Sequence, residues 1–466
     1  MTFESKISSH LRIRSQKKED STGITTRVFS PQETISKMMP VCNRIGVTRI
    51  ADITHLDRLY LPNYSITLPG TDDSIWVYGG KGQTKSHAKA SAIMEALERY
   101  TSLSTNRNKT YVRGSHFELS KSYRKVLHPC EVMEPTEELY DDKNSIMDFV
   151  SGYDLINNEE VLVPAALSFS AYSAKPPTVS AFPYSHTNGL ASGNVLEEAI
   201  CHALCEVIER DAVSIADLCS SSIPYTLLKN MFNALLESNR VRNSVTRSID
   251  QRFVDDSTIF QEVDTSEVMA IEPLGKITKR FSECGIPLLI KDITQSDIGI
   301  PTFVASCAEW VTCDFGYFAK GYGSHPDSRI ALIRAITEVS QTRASNIQGA
   351  RDDLKKIRYL QEDNIVERKW QFICESDNSI INKRAVMFSK IRTYSNKDLL
   401  DDIKLILKRI KKAGLKRAII VDLTNPQIGV PVVRAIVPGL ETFEIQKLFL
   451  KQGIQIGNRA KYRFRM

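Results

Sequence analysis

The 466-residue chain has no run of 18 apolar residues, and its start, MTFESKISSH, is polar. Neither a membrane-spanning helix nor a secretory signal is expected. It has no CxxC pair and no Cys/His cluster at zinc-site spacing. Its nine cysteines, at 42, 130, 201, 205, 219, 284, 307, 313 and 374, are scattered and odd in number. That usage argues for free thiols packed in a core and for a reducing, cytoplasmic compartment. Charge of one sign is also scarce. Lys and Arg number 61 against 55 Asp and Glu, a formal net charge of +6. This is too little for a nucleic-acid stripe. The basic run 408–412 sits among Leu400, Ile403, Ile406, Leu407 and Ile410. Their helical spacing makes the run the solvated face of a helix. No Gly/Ser-rich linker divides the chain.

What is present is an ordinary globular composition, 42% hydrophobic and 25% charged, with length enough for a large core. Residues 1–22 are polar and are expected to form a loose tail. A helix is expected from Pro31 to Ile45, with proline at its start and Gly46 at its end. Ile75–Tyr78 and Val161–Pro164 alternate as strands do. Helical patterns cover 84–103, 195–218, 327–347 and 396–413, and 225–265 is mixed. The pattern is that of one interwoven α+β fold.

Internal repeats say more. GKGQTKSHAKASAIMEALERY, from Gly80, aligns with ASGNVLEEAICHALCEVIERD, from Ala191, at a constant offset of 111. Gly82 meets Gly193, Ala88 meets Ala199, and Glu95, Glu98 and Arg99 meet Glu206, Glu209 and Arg210. A weaker third copy, SHPDSRIALIRAITEVSQTR, starts at Ser324 and places Ala331, Ala335, Glu338 and Gln341 at the equivalent positions. A second repeat pairs Asp292–Pro301 with Asp422–Pro431, each flanked by apolar strands. The fold class expected is therefore duplicated strand–helix units around antiparallel or mixed sheets.

On a helix, positions i, i+4 and i+7 share a face. Ser91, Glu95 and Glu98 obey this, as do Glu198, His202, Glu206 and Glu209, with Asn194 one turn earlier. Carboxylates so spaced repel on a half-buried face, so a cation must offset them. Two such helices would offer hard oxygen ligands suited to Mg2+, which commonly shares its shell with phosphate oxygens. Gly80-Lys81-Gly82 suits close approach of an anion to a helix start, but it is not a Walker A loop, whose glycines lie further apart. No Ser/His/Asp set is evident. His202 reads as a hydrogen-bonding histidine before a base, as does His186. His325 reads as a helix-start residue, and Arg434 as a phosphate or peptide contact or a structural ion pair.

The segments GKGQTKSHAKASAIMEALERY, NGLASGNVLEEAICHALCEVIERDA and IGVPVVRAIVPGLE resemble the YcaO family over residues 25 to 445. The resemblance implies a YcaO-like ATP-binding fold, with a catalytic domain over 23–445 and a C-terminal extension over 446–466. It implies that the chain activates a peptide amide with ATP and Mg2+. A nucleophile adds to the backbone carbonyl carbon, the oxyanion takes the γ-phosphoryl group, and loss of phosphate leaves an azoline or, with sulfide, a thioamide. Carried over residue by residue, Glu95, Glu98, Asn194, Glu198, Glu206 and Glu209 are the implied metal ligands. Those glutamates and Arg210 form the catalytic set. Arg27, Thr34, Lys81, Ser91, Asn194 and Arg334 are implied to bind the nucleotide, although Arg334 could equally pair with Glu338.

Within the family the chain is most similar to stand-alone members associated with TfuA proteins, including those of methanogens. No partner domain is fused, SHTNGLASGN resembles their turn, and the end NRAKYRFRM lacks the proline-rich tail of many azoline-forming members. This implies thioamidation of a peptide or protein, for example to thioglycine in methyl-coenzyme M reductase, with a sulfide source, a TfuA-like partner and a homodimer. The alternatives are an azoline-forming cyclodehydratase with a separate clamp partner, and a non-catalytic accessory in ribosomal-protein methylthiolation.

Overall fold

Local signals set the element boundaries in this computed structural model. It describes residues 11–19, 26–70, 75–103, 111–123, 125–132, 140–170, 172, 187–220, 260–307, 319–349, 385–442 and 459. Residues 1–10, His186, most of 225–265 and the expected 446–466 extension apart from Arg459 lie outside the described residues. Helix α1 (Pro31–Ile45) opens on a capping box of Ser30 and Glu33 and closes at Gly46, whose φ of 89° is left-handed. Strands β1 (Arg49–Asp52), β2 (Asn63–Pro69) and β3 (Ile75–Lys81) follow, then α2 (Lys85–Thr101), capped by Thr84. Next come β4 (Val112–Gly114), α3 (His116–Ser122), β5 (Met147–Asp154), β6 (Glu159–Pro164), α4 (Ala165–Ser168), β7 (Leu190–Ser192) and α5 (Leu196–Ser220). The remainder is α6 (Thr265–Val268), α7 (Leu274–Glu283), β8 (Leu288–Asp292), β9 (Thr302–Cys307), β10 (Ala319–Ser324), α8 (Ser328–Gln348), α9 (Leu399–Lys412), β11 (Ile419–Asp422) and β12 (Val432–Ile436).

Among the described residues the strands form three antiparallel sheets: β1-β2-β3, β10-β9-β8, and β4-β5-β11-β12-β7 with β6 on β5. The two repeats beginning at Asp292 and Asp422 are the hairpins β8–β9 and β11–β12, as expected. Their shared Asp-x-Thr has a local cause. Asp292 Oδ1 accepts from Thr294 N at 2.9 Å, and Thr294 Oγ1 accepts from Thr302 N at 2.9 Å. Asp422, Thr424 and Val432 repeat this at 2.9 and 3.2 Å. Each turn is closed by its own side chains.

Three strands feed helices through three-residue connections: β3 into α2, β7 into α5, and β10 into α8. The glycines and alanines of these repeats let strand and helix touch. A Cβ on Gly80 would lie 2.3 Å from Ala88 O and 2.2 Å from Ala92 N. A Cβ on Gly323 would lie 2.0 Å from Ala331 O and 2.8 Å from Ala335 N. Gly80 is thus required for packing against its own helix, which differs from the anion approach considered for Gly-Lys-Gly. The basic run falls on the exposed side of α9, whose Leu399, Ile403, Ile406 and Ile410 are buried, as expected.

One segment departs from expectation. Residues 11–19, read as part of a loose tail, are tied to the starts of α5 and α9. Arg14 N donates to Glu197 at 2.7 Å, and the Ser15 hydroxyl and Gln16 N donate to Asp398. Lys18 forms an ion pair with Asp402, whose side chain is fully buried. Leu11 and Ile13 pack on the core beneath α5 and α9. A polar composition hides such anchoring, because its hydrogen-bond partners lie 183 to 383 residues away.

Candidate active site

Helices α2, α5 and α8 bring their repeats to one place. With offsets of 111 and then 132, Ser91, His202 and Arg334 are equivalent, as are Glu95, Glu206 and Glu338, and Glu98, Glu209 and Gln341. All nine line one cleft of about 1730 Å³. Arg27, Thr34, Lys81, Asn194 and Arg210 line it too. Polar contacts at the cleft join the three units pairwise. Ser192 N donates to Glu98 Oε2 at 3.0 Å, Arg334 Nη2 lies 3.3 Å from His202 Nδ1, and Lys81 pairs with Glu338.

Charge is concentrated and incompletely offset. Arg99 lies 3.8 Å from both Glu95 and Glu98, and Arg210 lies 3.6 Å from Glu209 and 5.8 Å from the Tyr322 ring centroid. Burial, aided by Glu206 and Glu95, pushes the Glu98 carboxyl up to about 8 despite Arg99. Burial, with Glu338 and Glu206, raises Glu209 to about 7. Glu206 is raised as well, again chiefly by burial. A cation placed among these carboxylates would relieve the repulsion that burial enforces.

The donor set fits Mg2+. It is all oxygen, and Asn194 Oδ1 is buried with no hydrogen-bond partner. The same amide is oriented from behind, since Asn194 Nδ2 donates to Glu198 Oε2 at 3.1 Å. Glu198 itself differs from expectation. It is not part of the cleft wall. Its carboxylate accepts from Val28 N at 2.5 Å, Arg27 Nη1 at 3.3 Å and Asn194 N at 2.8 Å. A carboxylate so occupied holds the cleft's rim in place rather than facing into it. Thr34 Oγ1 donates to Ser30 O at 3.1 Å.

Glu338 lines the cleft although it is absent from the site residues expected from the sequence, where it aligns with Glu95 and Glu206. Its signal was the third repeat, diluted by glutamine at 341. Arg434 does not line the cleft and is 1% exposed. Burial lowers its guanidinium to about 10, with Glu206 and Glu98 countering. Its place outside the cleft wall disfavours the direct phosphate contact that was one of its two readings. Cys42, Cys201, Cys205 and Cys307 are buried free thiols as expected, whereas Cys130 is exposed. His325 follows β10 and accepts from Asp327 N through Nδ1 at 2.9 Å. Its Nε2 therefore keeps its hydrogen, which opposes metal binding by the neighbouring Cys201 and Asp402. His128 is committed in the same way by Cys130 N, beside His116 and Asp142. No helix among the described residues is long and apolar enough to cross a membrane.

Residues 79–441 match the family described as YcaO cyclodehydratase, ATP- and Mg2+-binding. An uncharacterized protein of Methanothermobacter thermautotrophicus is 32% identical over 426 residues, covering 89% of this chain and 95% of its own. An uncharacterized protein in the tfuA 3' region of Rhizobium leguminosarum bv. trifolii is 29% identical over 454 residues, covering 95% and 96%. Among solved structures, YcaO from Methanopyrus kandleri bound with AMPPCP and Mg2+ superposes with a TM-score of 0.67 at 22% identity, over 96% of this chain and 98% of that one.

Proposed function

The chain belongs to the YcaO family, whose members bind ATP and Mg2+, and we propose that it converts a peptide backbone amide to a thioamide, most simply at glycine. Sulfide adds to the carbonyl carbon, the oxyanion so formed takes the γ-phosphoryl group of ATP with release of ADP, and cleavage of the C–O bond expels phosphate to leave the thioamide. The observation that carries the ATP-dependent step is the convergence of three acidic helix turns, Glu95–Glu98, Glu206–Glu209 and Glu338, on one cleft with the unpartnered Asn194 Oδ1. These groups would hold Mg2+, which neutralises phosphate charge as phosphoryl transfer requires. Lys81, Arg99, Arg210 and Arg334 position and neutralise the triphosphate. Ser91, Arg27 and Thr34 shape the end of the cleft formed by α1 and α2. Glu198 acts by orienting Asn194 and Arg27.

Support for sulfide as the nucleophile comes from relatives: one is a methanogen protein and another is encoded beside tfuA. A TfuA-like protein would deliver sulfide to a homodimer. A second reading, azoline formation on Cys, Ser or Thr, is favoured by the family's description as cyclodehydratases. Mass spectrometry of a glycine peptide and a cysteine peptide, each incubated with ATP, Mg2+ and sulfide, separates them. Thioamidation exchanges oxygen for sulfur in the glycine peptide. Loss of one water from the cysteine peptide alone would overturn it in favour of the azoline.

A further inference from the structure

We propose that His202 is an anion-binding residue: a neutral imidazole that donates one hydrogen bond through Nε2–H to a phosphoryl oxygen of the bound nucleotide. This rests on the reading of the cleft as an ATP site. On α5, His202 holds the register that Ser91 holds on α2 and Arg334 on α8, and all three line the cleft. Arg334 Nη2 lies 3.3 Å from His202 Nδ1. A guanidinium has only donors, so Nδ1 must be the acceptor and the ring hydrogen of the neutral form must sit on Nε2. The guanidinium is itself fixed, because Nη1 donates to Ser324 O at 3.1 Å.

Two consequences follow. With Nδ1 engaged and Nε2 protonated, the ring has no lone pair left with which to take a proton, so it is not the general base. A second ring proton is opposed by burial and by the cations around it: Arg334 from α8, Arg27 from the N-terminal segment and Lys81 from β3 hold its pKa well below the ordinary histidine value. What His202 retains is a single N–H in a corner lined by three cations, one turn before Glu206. Such a corner selects anionic oxygen.

Calorimetric titration of AMPPCP with Mg2+ tests this. His202→Leu is expected to weaken affinity about tenfold, the worth of one hydrogen bond to a charged partner, while His202→Gln, which keeps an N–H donor, restores most of it. Equal affinity in wild type and both variants would overturn the proposal and leave the ATP reading intact. Failure of the wild type to bind would overturn the ATP reading itself. A measurement independent of variant folding is 15N NMR of the eight histidines in the wild-type protein. The expected result is an Nε2–H tautomer at His202 whose proton moves downfield on adding AMPPCP and Mg2+. An Nδ1–H tautomer there would overturn the assignment.

Discussion

Burial pushes the Glu98 and Glu209 carboxyls up to about 8 and about 7, against 4.5 for an ordinary glutamate. Between 4.5 and about 8 the folded chain therefore binds more protons at these sites than the unfolded one. Their contribution to stability falls as pH rises through that window and is level above it. Arg99, Arg210, Lys81, Glu95, Glu206 and Glu338 are the charges that face them. A bound cation needs both groups deprotonated, so its stabilising effect grows over the same window. In thermal melts, the shift from adding Mg2+ and AMPPCP should be larger near pH 8.5 than near pH 6. Equal shifts at both values would remove this pair from the cation site. At this scale the sequence revealed the acidic stripes, because helical spacing alone puts Ser91, Glu95 and Glu98 on one face. It did not reveal that Glu198 would be consumed by Val28, Arg27 and Asn194, since spacing says nothing of which partner reaches a carboxylate first.

The strand–helix units depend on contacts that only glycine permits. At Gly80 an added Cβ meets backbone atoms of Ala88 and Ala92, which cannot rotate away. Gly80→Ala should cost about 1–3 kcal/mol of stability, read from the urea midpoint, and weaken nucleotide binding as α2 backs off the sheet. A midpoint unchanged within error would contradict the close packing. The N-terminal strip makes a separate demand. Lys18→Met leaves Asp402 buried without its cation and should cost about 3–5 kcal/mol, whereas Lys18→Met with Asp402→Leu should recover much of the loss. No recovery in the double variant would show that the pair is not the anchor. The helices were legible because their apolar periodicity is strong. The strip was not, because residues 11–19 carry little apolar pattern and are ordered by partners at Glu197, Asp398 and Asp402.

At the scale of the molecule, the three sheets of the described residues hold three helices so that each unit contributes acid to the cleft and contacts the next. Long-range pairing does this: β7 lies beside β12 in the register Ser192↔Val432, which presents Ser192 to Glu98. A buried bidentate pair, Arg343 with Asp57 at 2.8 Å on both arms, locks the far end of α8 to the β1–β2 connection. Repeats in the sequence disclosed that the units were alike, and the third repeat even placed Glu338. Their convergence on one point is a property of the sheets' arrangement, which no periodicity encodes. The account stands or falls on whether that convergence builds a Mg2+-dependent nucleotide site. Calorimetric titration of AMPPCP into wild type with Mg2+, wild type with EDTA, and Glu206→Ala with Mg2+ measures it directly. Binding in the first and a loss of about 100-fold or more in the other two is the expected result. Undiminished affinity in Glu206→Ala, or in EDTA, would contradict it.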